Sequence, residues 1–208
     1  MKKNILSLMI ILGGLSFAQA QTARQLYLNY ETNDQMVAAP TGNTANNKKA
    51  PKKGKPGTKV VIERMRDGKL AFVAPNSKFR SGDKIRLRFA TNFDGYIKIL
   101  NIGSSGKVNL LFPYSGADDR IRPNTDFQVP KRGDWIVFDN TPGTETLTVI
   151  MSKEPLNSEN DAELRALNKS AANTRDLTIE SDTEATFAVT NETSLQKPLG
   201  FTLRLKHE

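Results

Sequence analysis

Residues 79–113 read FRSGDKIRLRFATNFDGYIKILNIGSSGKVNLLFP, and no other stretch constrains the fold as tightly. Ile85, Leu87 and Phe89 alternate with Lys84, Arg86 and Arg88, a period of two that puts the apolar set on one face of a half-buried antiparallel strand and the cations on the other. Asn92-Phe93-Asp94-Gly95 then supplies a turn in which Gly95 is expected to take the positive φ of a tight connection. The chain returns as a strand over 96–101. Gly103-Ser104-Ser105-Gly106 repeats the device before a strand over 108–112, and Pro113, which has no amide donor, ends the ladder.

The flanks follow the same grammar. A strand opens at Val60-Val61-Ile62, Arg66-Asp67-Gly68-Lys69 has the Asp-Gly signature of a hairpin, and 70–73 returns. Further strands are expected over 127–129, 134–138, 144–151, 183–189 and 200–206; in the last, Phe201, Leu203 and Leu205 face inward. Residues 158–168 break the pattern as one short helix with Ser158 as its N-cap. About eight to ten short strands, spaced roughly 8 to 12 residues apart, argue for an all-β fold, an immunoglobulin-like antiparallel β-sandwich spanning 59–208.

A resemblance enters on these residues. Gly82-Asp83 with Arg86-Leu87, then Asn92, Asp94-Gly95-Tyr96, then Gly106-Lys107-Val108 and Leu110-Leu111-Phe112-Pro113 resemble bacterial domain-of-unknown-function family 4384. Arg120-Ile121, Phe127-Gln128-Val129-Pro130, Thr141-Pro142-Gly143-Thr144-Glu145 and Ser152-Lys153-Glu154-Pro155 continue the match in order. Asp119 and Pro123-Asn124 stand where the family pattern has Asn and Gly. The resemblance implies an extracytoplasmic β-sandwich, often appended to caspase-like peptidases or protein kinases. It implies no catalytic residues, because the family has no settled activity.

Ahead of the sandwich, residues 1–20 have the parts of a secretory signal: Lys2 and Lys3, an apolar run over 5–17, and Ala18-Gln19-Ala20 as a cleavage site. The run is shorter than the roughly 20 apolar residues of a spanning helix. Without cysteine the chain has no site for lipoprotein anchoring and no thiol chemistry. The expectation is a periplasmic or extracellular protein, not a lipoprotein, with no membrane span in the mature chain. Residues 21–39 hold Leu26, Tyr27, Leu28 and Tyr30, which suit either an edge strand or a helical turn, docked on the domain or on a partner.

Much of the net charge of +8 is concentrated in residues 40–58. Lys48, Lys49, Lys52, Lys53 and Lys55 lie there among Asn, Gly, Thr and Pro with no acid, a composition expected to be disordered. It reads as a spacer or as a tether for an anionic polymer or membrane surface. No stacking aromatics accompany the lysines, so nucleic acid is not an expected partner.

Candidate chemistry is sparse. The one histidine, His207, stands next to the last residue and is expected to fray, which removes a Ser-His-Asp arrangement and a His/Cys zinc site. Asp118, Asp119, Asp139 and Asn140 could donate oxygens to calcium but lack its loop spacing. No cofactor is expected. Two surfaces are candidates for partner binding: the cationic face of Lys84, Arg86 and Arg88, with Arg80 and Lys98 extending it, and the loop carrying Asp118, Asp119, Arg120 and Arg122. The reading is a non-enzymatic interaction module that binds an envelope or secreted protein through loops and sheet edges. Anionic-polymer binding through the lysines and a carboxylate-dependent hydrolase acting through Asp118 or Asp119 are the alternatives.

Overall fold

The computed structural model describes residues 21–30, 54–103, 106–156, 160–172, 175–192 and 194–208. The expected signal peptide, residues 31–39, most of the lysine linker and Ser158 lie outside them. The described chain is an all-β sandwich of two sheets. One sheet has the order β11 (Leu177–Ser181), β12 (Thr186–Thr190), β1 (Gly57–Arg66), β4 (Lys84–Thr91) and β8 (Phe127–Val129), with β2 (Lys69–Val73) beside β1 and β9 (Ile136–Val137) beside β4. The other has the order β3 (Lys78–Phe79), β13 (Leu199–His207), β10 (Gly143–Ser152), β5 (Gly95–Ile102) and β6 (Val108–Phe112), with β7 (Arg120–Ile121) beside β5. The described pairs are antiparallel except β3 with β13, which is parallel.

The alternation read from the sequence builds the core. Val60, Ile62, Ile85, Leu87 and Phe89 from the first sheet meet Ile97, Ile99, Leu147, Val149 and Leu203 from the second, and Phe89 packs edge-on against Phe112 with ring centroids 5.0 Å apart. β5 and β10 are buried on both faces, because helix α2 (Asp161–Ala172) lays Leu164 over Leu100, Val108 and Ile150 on the outer side of the second sheet. Its N-terminus is capped by Asn160, whose Oδ1 accepts from the amides of Ala162 and Glu163 at 3.0 Å. The helix runs on past its expected end at Asn168.

The segment left open between strand and helix is helix α1 (Ala23–Leu28). Thr22 Oγ1 accepts from the Gln25 amide and Gln25 Oε1 accepts from the Thr22 amide, both at 3.2 Å, a reciprocal cap that stabilises so short a helix. Ala23 and Tyr27, one turn apart, bury against Phe187 and Val189 on the outer face of the first sheet. The Tyr27 hydroxyl is correspondingly pushed up to about 12 by burial. The folded region starts ahead of the expected boundary at Lys59: β1 begins at Gly57, and the Lys55 amide donates to Leu26 O at 3.0 Å.

Two turn readings have different outcomes. Asp67 and Gly68 take φ of 50° and 73°, the paired positive values of a tight hairpin between β1 and β2. Gly95 does not adopt a positive φ. It is glycine because β5 and the end of β10 approach closely there, and a Cβ would lie 2.3 Å from Ser152 O. Asn124, standing where the family pattern has glycine, takes φ 57°, a value Asn tolerates better than most residues.

Candidate functional site

The expected cationic face forms, with two of its three cations paired to carboxylates. Glu63 sits opposite Arg86 in the register of β1 with β4, and its carboxylate is only 2% exposed. It is covered by Arg86, whose Nε donates to Glu63 Oε2, and by Arg88, whose Nη1 lies 3.5 Å from Glu63 Oε1. Arg88 also pairs with Asp126. The Arg86 guanidinium lies 4.6 Å from the centroid of the Trp135 ring. Arg86 and Arg88 are therefore part of a charge-matched network with an aromatic lid, because a carboxylate on the neighbouring strand is drawn in to match them. Lys84 is exposed at its end. Arg80 sits before β4, where its amide donates to Asp83. Lys98 belongs to the other sheet and is 3% exposed, so it does not extend this face.

The loop ahead of β8 is tied down by the charges that made it a candidate. Asp119 Oδ2 accepts from the buried Lys98 ammonium at 2.9 Å, which makes it the counter-ion of a buried charge. Asp118 Oδ1 accepts from the Arg120 amide at 2.9 Å, and Arg120 reaches Asp94 at 3.3 Å. Asp118 and Asp119 thus serve separate bonds and share no reacting site. Arg122 is exposed. This loop lies along β5 of the second sheet, whereas Arg86 and Arg88 lie on the first, so the two candidate surfaces are not one site. Of the linker lysines, Lys48, Lys49, Lys52 and Lys53 fall outside the described residues, and Lys55 Nζ donates to Asn191 O.

Beside the Glu63 network lies a surface that sequence reading missed. β2 pairs with β1 alone among the described strands, and its Leu70 and Phe72 are 49% and 55% exposed. Phe72 lies opposite Glu63 in register and lines an open groove of about 540 Å³ with Lys59, Val61, Arg88, Asp126 and Glu184. A Leu-x-Phe alternation after an Asp-Gly turn was visible in the sequence. That its face would remain uncovered was not.

His207 departs from the sequence expectation. It closes β13 and is 4% exposed. Its Nε2 shares a hydrogen bond with Ser81 Oγ at 3.1 Å, and its ring packs edge-on to Phe138 at 5.2 Å. The strand end is held by β3 alongside it and by Glu208, whose amide donates to Phe79 O at 2.9 Å. The Ser-His pair has no activating surroundings among the described residues. The neighbouring Gly82 and Asp83 amides already donate to Phe138 O and Arg80 O, and no carboxylate bonds the imidazole. No three His, Asp or Glu side chains among the described residues come together to hold a metal.

A family model matches the central stretch of the chain. Residues 78–155 match a domain of unknown function (DUF4384). The DUF4384 stretch runs from β3 through β10 and contains the tied-down loop, Arg86, Arg88 and Trp135. It does not close the sandwich by itself: β4 pairs with β1 and β10 with β13, both of which lie outside it. No curated protein and no solved structure matches the chain.

Proposed function

We propose that this chain is a non-enzymatic, extracytoplasmic interaction module of the bacterial envelope, and that it binds an extended segment of another protein along the free edge of β2. The observation that carries the reading is the exposure of Leu70 and Phe72 on a strand that, among the described strands, pairs along one edge only. Such an edge offers main-chain hydrogen bonds to an added strand, and the groove beside Phe72 offers a place for its alternate side chains. An aromatic left half exposed on an unprotected edge is a hazard that folded proteins otherwise cover with charge, proline or a loop. The mixed rim of Lys59, Arg88, Asp126 and Glu184 suits a protein segment better than a polymer of one charge. The signal-like N-terminus supports a place outside the cytoplasm.

The test is capture from an envelope extract with the wild-type chain and with Phe72→Asp, both washed in high salt. A stoichiometric protein held by the wild type and weakened by about 2 kcal/mol or more in Phe72→Asp, the scale of an interface hot spot, is the expected result. Equal retention by both proteins would remove β2 from the interface.

A further inference from the structure

The second sheet turns polar on its inner face at one end. Along β5 the inward positions run Ile97, Ile99, Asn101; along β10, from the far end, Val149, Leu147, Glu145; along β13, Leu203, Leu205, His207. Asn101 lies opposite Leu147, and Glu145 opposite Leu205. Three neighbouring strands therefore each place a polar side chain in a core-facing position near this end, where alternation calls for an apolar one. These side chains enclose a pocket of about 220 Å³ between the sheets, floored by Ile85, Leu147 and Leu205 and walled by Phe138.

The pocket's chemistry is one-sided. Asn101 Oδ1 is buried and has no hydrogen-bond partner among the described residues, a costly state for an acceptor unless something else supplies a donor. Glu145 and Asp139 contribute carboxylates to the lining, and among the described residues no lysine or arginine lines it. Asp139 Oδ1 accepts from the Thr141 amide, and its other oxygen, the Glu145 carboxylate and Asn101 Oδ1 are acceptors in the lining. An acceptor-rich, acidic rim over an apolar floor matches a donor that carries positive charge and has an apolar body. The acidic and imidazole groups do not converge as metal ligands do, so an organic cation fits and a bare metal ion does not. At about 30 Å³ for each water, the volume equals roughly seven waters, the scale of a small amine.

We propose that this end of the sandwich is a binding site for a small primary ammonium group with an apolar body, either a free amine or the side chain of a peptidyl lysine. The ammonium donates to Asn101 Oδ1 and to the Glu145 carboxylate, and the apolar body lies against Ile85, Leu147 and Phe138. The site is on the inner face, away from the β2 edge, and stands independently of the protein-binding reading.

The test is an amide and side-chain NMR titration of the wild-type chain with benzylammonium, with Nα-acetyl-lysine methylamide, and with neutral benzyl alcohol. Saturable shifts centred on Asn101 and His207 with either ammonium, and at least about tenfold weaker binding of the alcohol, are expected. The ammonium that binds more tightly identifies the source. Glu145→Gln should weaken ammonium binding by about tenfold, and Asn101→Leu should abolish it. The wild-type comparison of charged and neutral ligands holds whether or not a variant folds. No saturable shift with either ammonium, or equal binding of the alcohol, overturns the proposal and leaves the pocket to water.

Discussion

The two ends of the sandwich are finished in opposite ways, and two asparagines make the contrast plain. Asn92, at the end of β4, is 3% exposed and spends its whole side chain on the backbone. Its Oδ1 accepts from the Gly57 amide at 2.8 Å, and its Nδ2 donates to Tyr27 O at 2.8 Å and Lys55 O at 2.9 Å. Phe93, Met151, Leu195 and Leu199 fill the space beside it, with Tyr30 and Leu177 packed against them. At the opposite end of β5, Asn101 holds a buried oxygen with no partner, next to a pocket and not a plug. A side chain whose every donor and acceptor is matched by backbone fastens the chain. One with capacity left over is available to a ligand.

The largest effect should come from the fastened end. Asn92→Ala strands the Gly57 amide and the Lys55 carbonyl and leaves Tyr27 O with only the Tyr30 amide at 3.4 Å. At about 1–3 kcal/mol for each buried group left unpaired, the cost should be about 3 kcal/mol or more. Because those carbonyls belong to α1 and the approach to β1, proteolysis at residues 23–28 should quicken in step with the drop in the urea midpoint. A loss under about 1 kcal/mol would mean that water replaces the side chain and that this end is not sealed.

The open end has its own anchor, which gives the next effect in size. Asp83 is 2% exposed and accepts from Arg66 Nε at 2.7 Å, Arg66 Nη2 at 2.5 Å and the Arg80 amide at 3.0 Å. Burial pushes its carboxyl pKa upward, but the Arg66 and Arg80 hydrogen bonds and the guanidinium charges outweigh it and hold the group below its ordinary 3.8. A lowered folded-state pKa means stabilisation that is present above the ordinary value and lost as pH falls through the lowered one. Asp83→Asn should therefore cost about 2 kcal/mol at pH 7. The gap from wild type should narrow steadily below about pH 4 in paired urea titrations. A gap that stays constant with pH would assign the stabilisation to packing instead of charge.

What could be read in advance follows the range of the interaction. The alternation of Ile85, Leu87 and Phe89 and the Asp67-Gly68 hairpin are local, and the fold reproduces both. α1 was ambiguous because six residues satisfy either period; the decisive local signal was the Thr22 to Gln25 capping pair. The charge of the β4 face was illegible from β4 alone, since Glu63 reaches Arg86 only through the pairing of β1 with β4. His207 looked frayed because it is near the last residue, yet its anchors, Ser81 and Phe138, are distant in sequence. Asn101 and His207 each follow, and Glu145 precedes, two inward apolar residues on their own strands. That signal was present, but only strand register shows that the three interruptions coincide.

The smallest effect on stability is the sharpest test of the contrast. Asn101→Leu continues the apolar row of Ile97 and Ile99, removes the unpaired buried oxygen, and sets a hydrocarbon side chain against Leu147 and Leu205. Replacing an unsatisfied acceptor with an apolar group of similar shape should change stability by no more than about 1 kcal/mol, in the stabilising direction if the cavity accepts the side chain. Asn92→Leu, measured beside it, should be as damaging as Asn92→Ala, because its penalty lies in the stranded Gly57 amide and Lys55 carbonyl and not in lost volume. A loss of about 2 kcal/mol or more in Asn101→Leu would show that its oxygen is matched in solution and supports the fold. The two ends would then differ in shape but not in kind, and the inward row of polar residues would be architecture instead of a site.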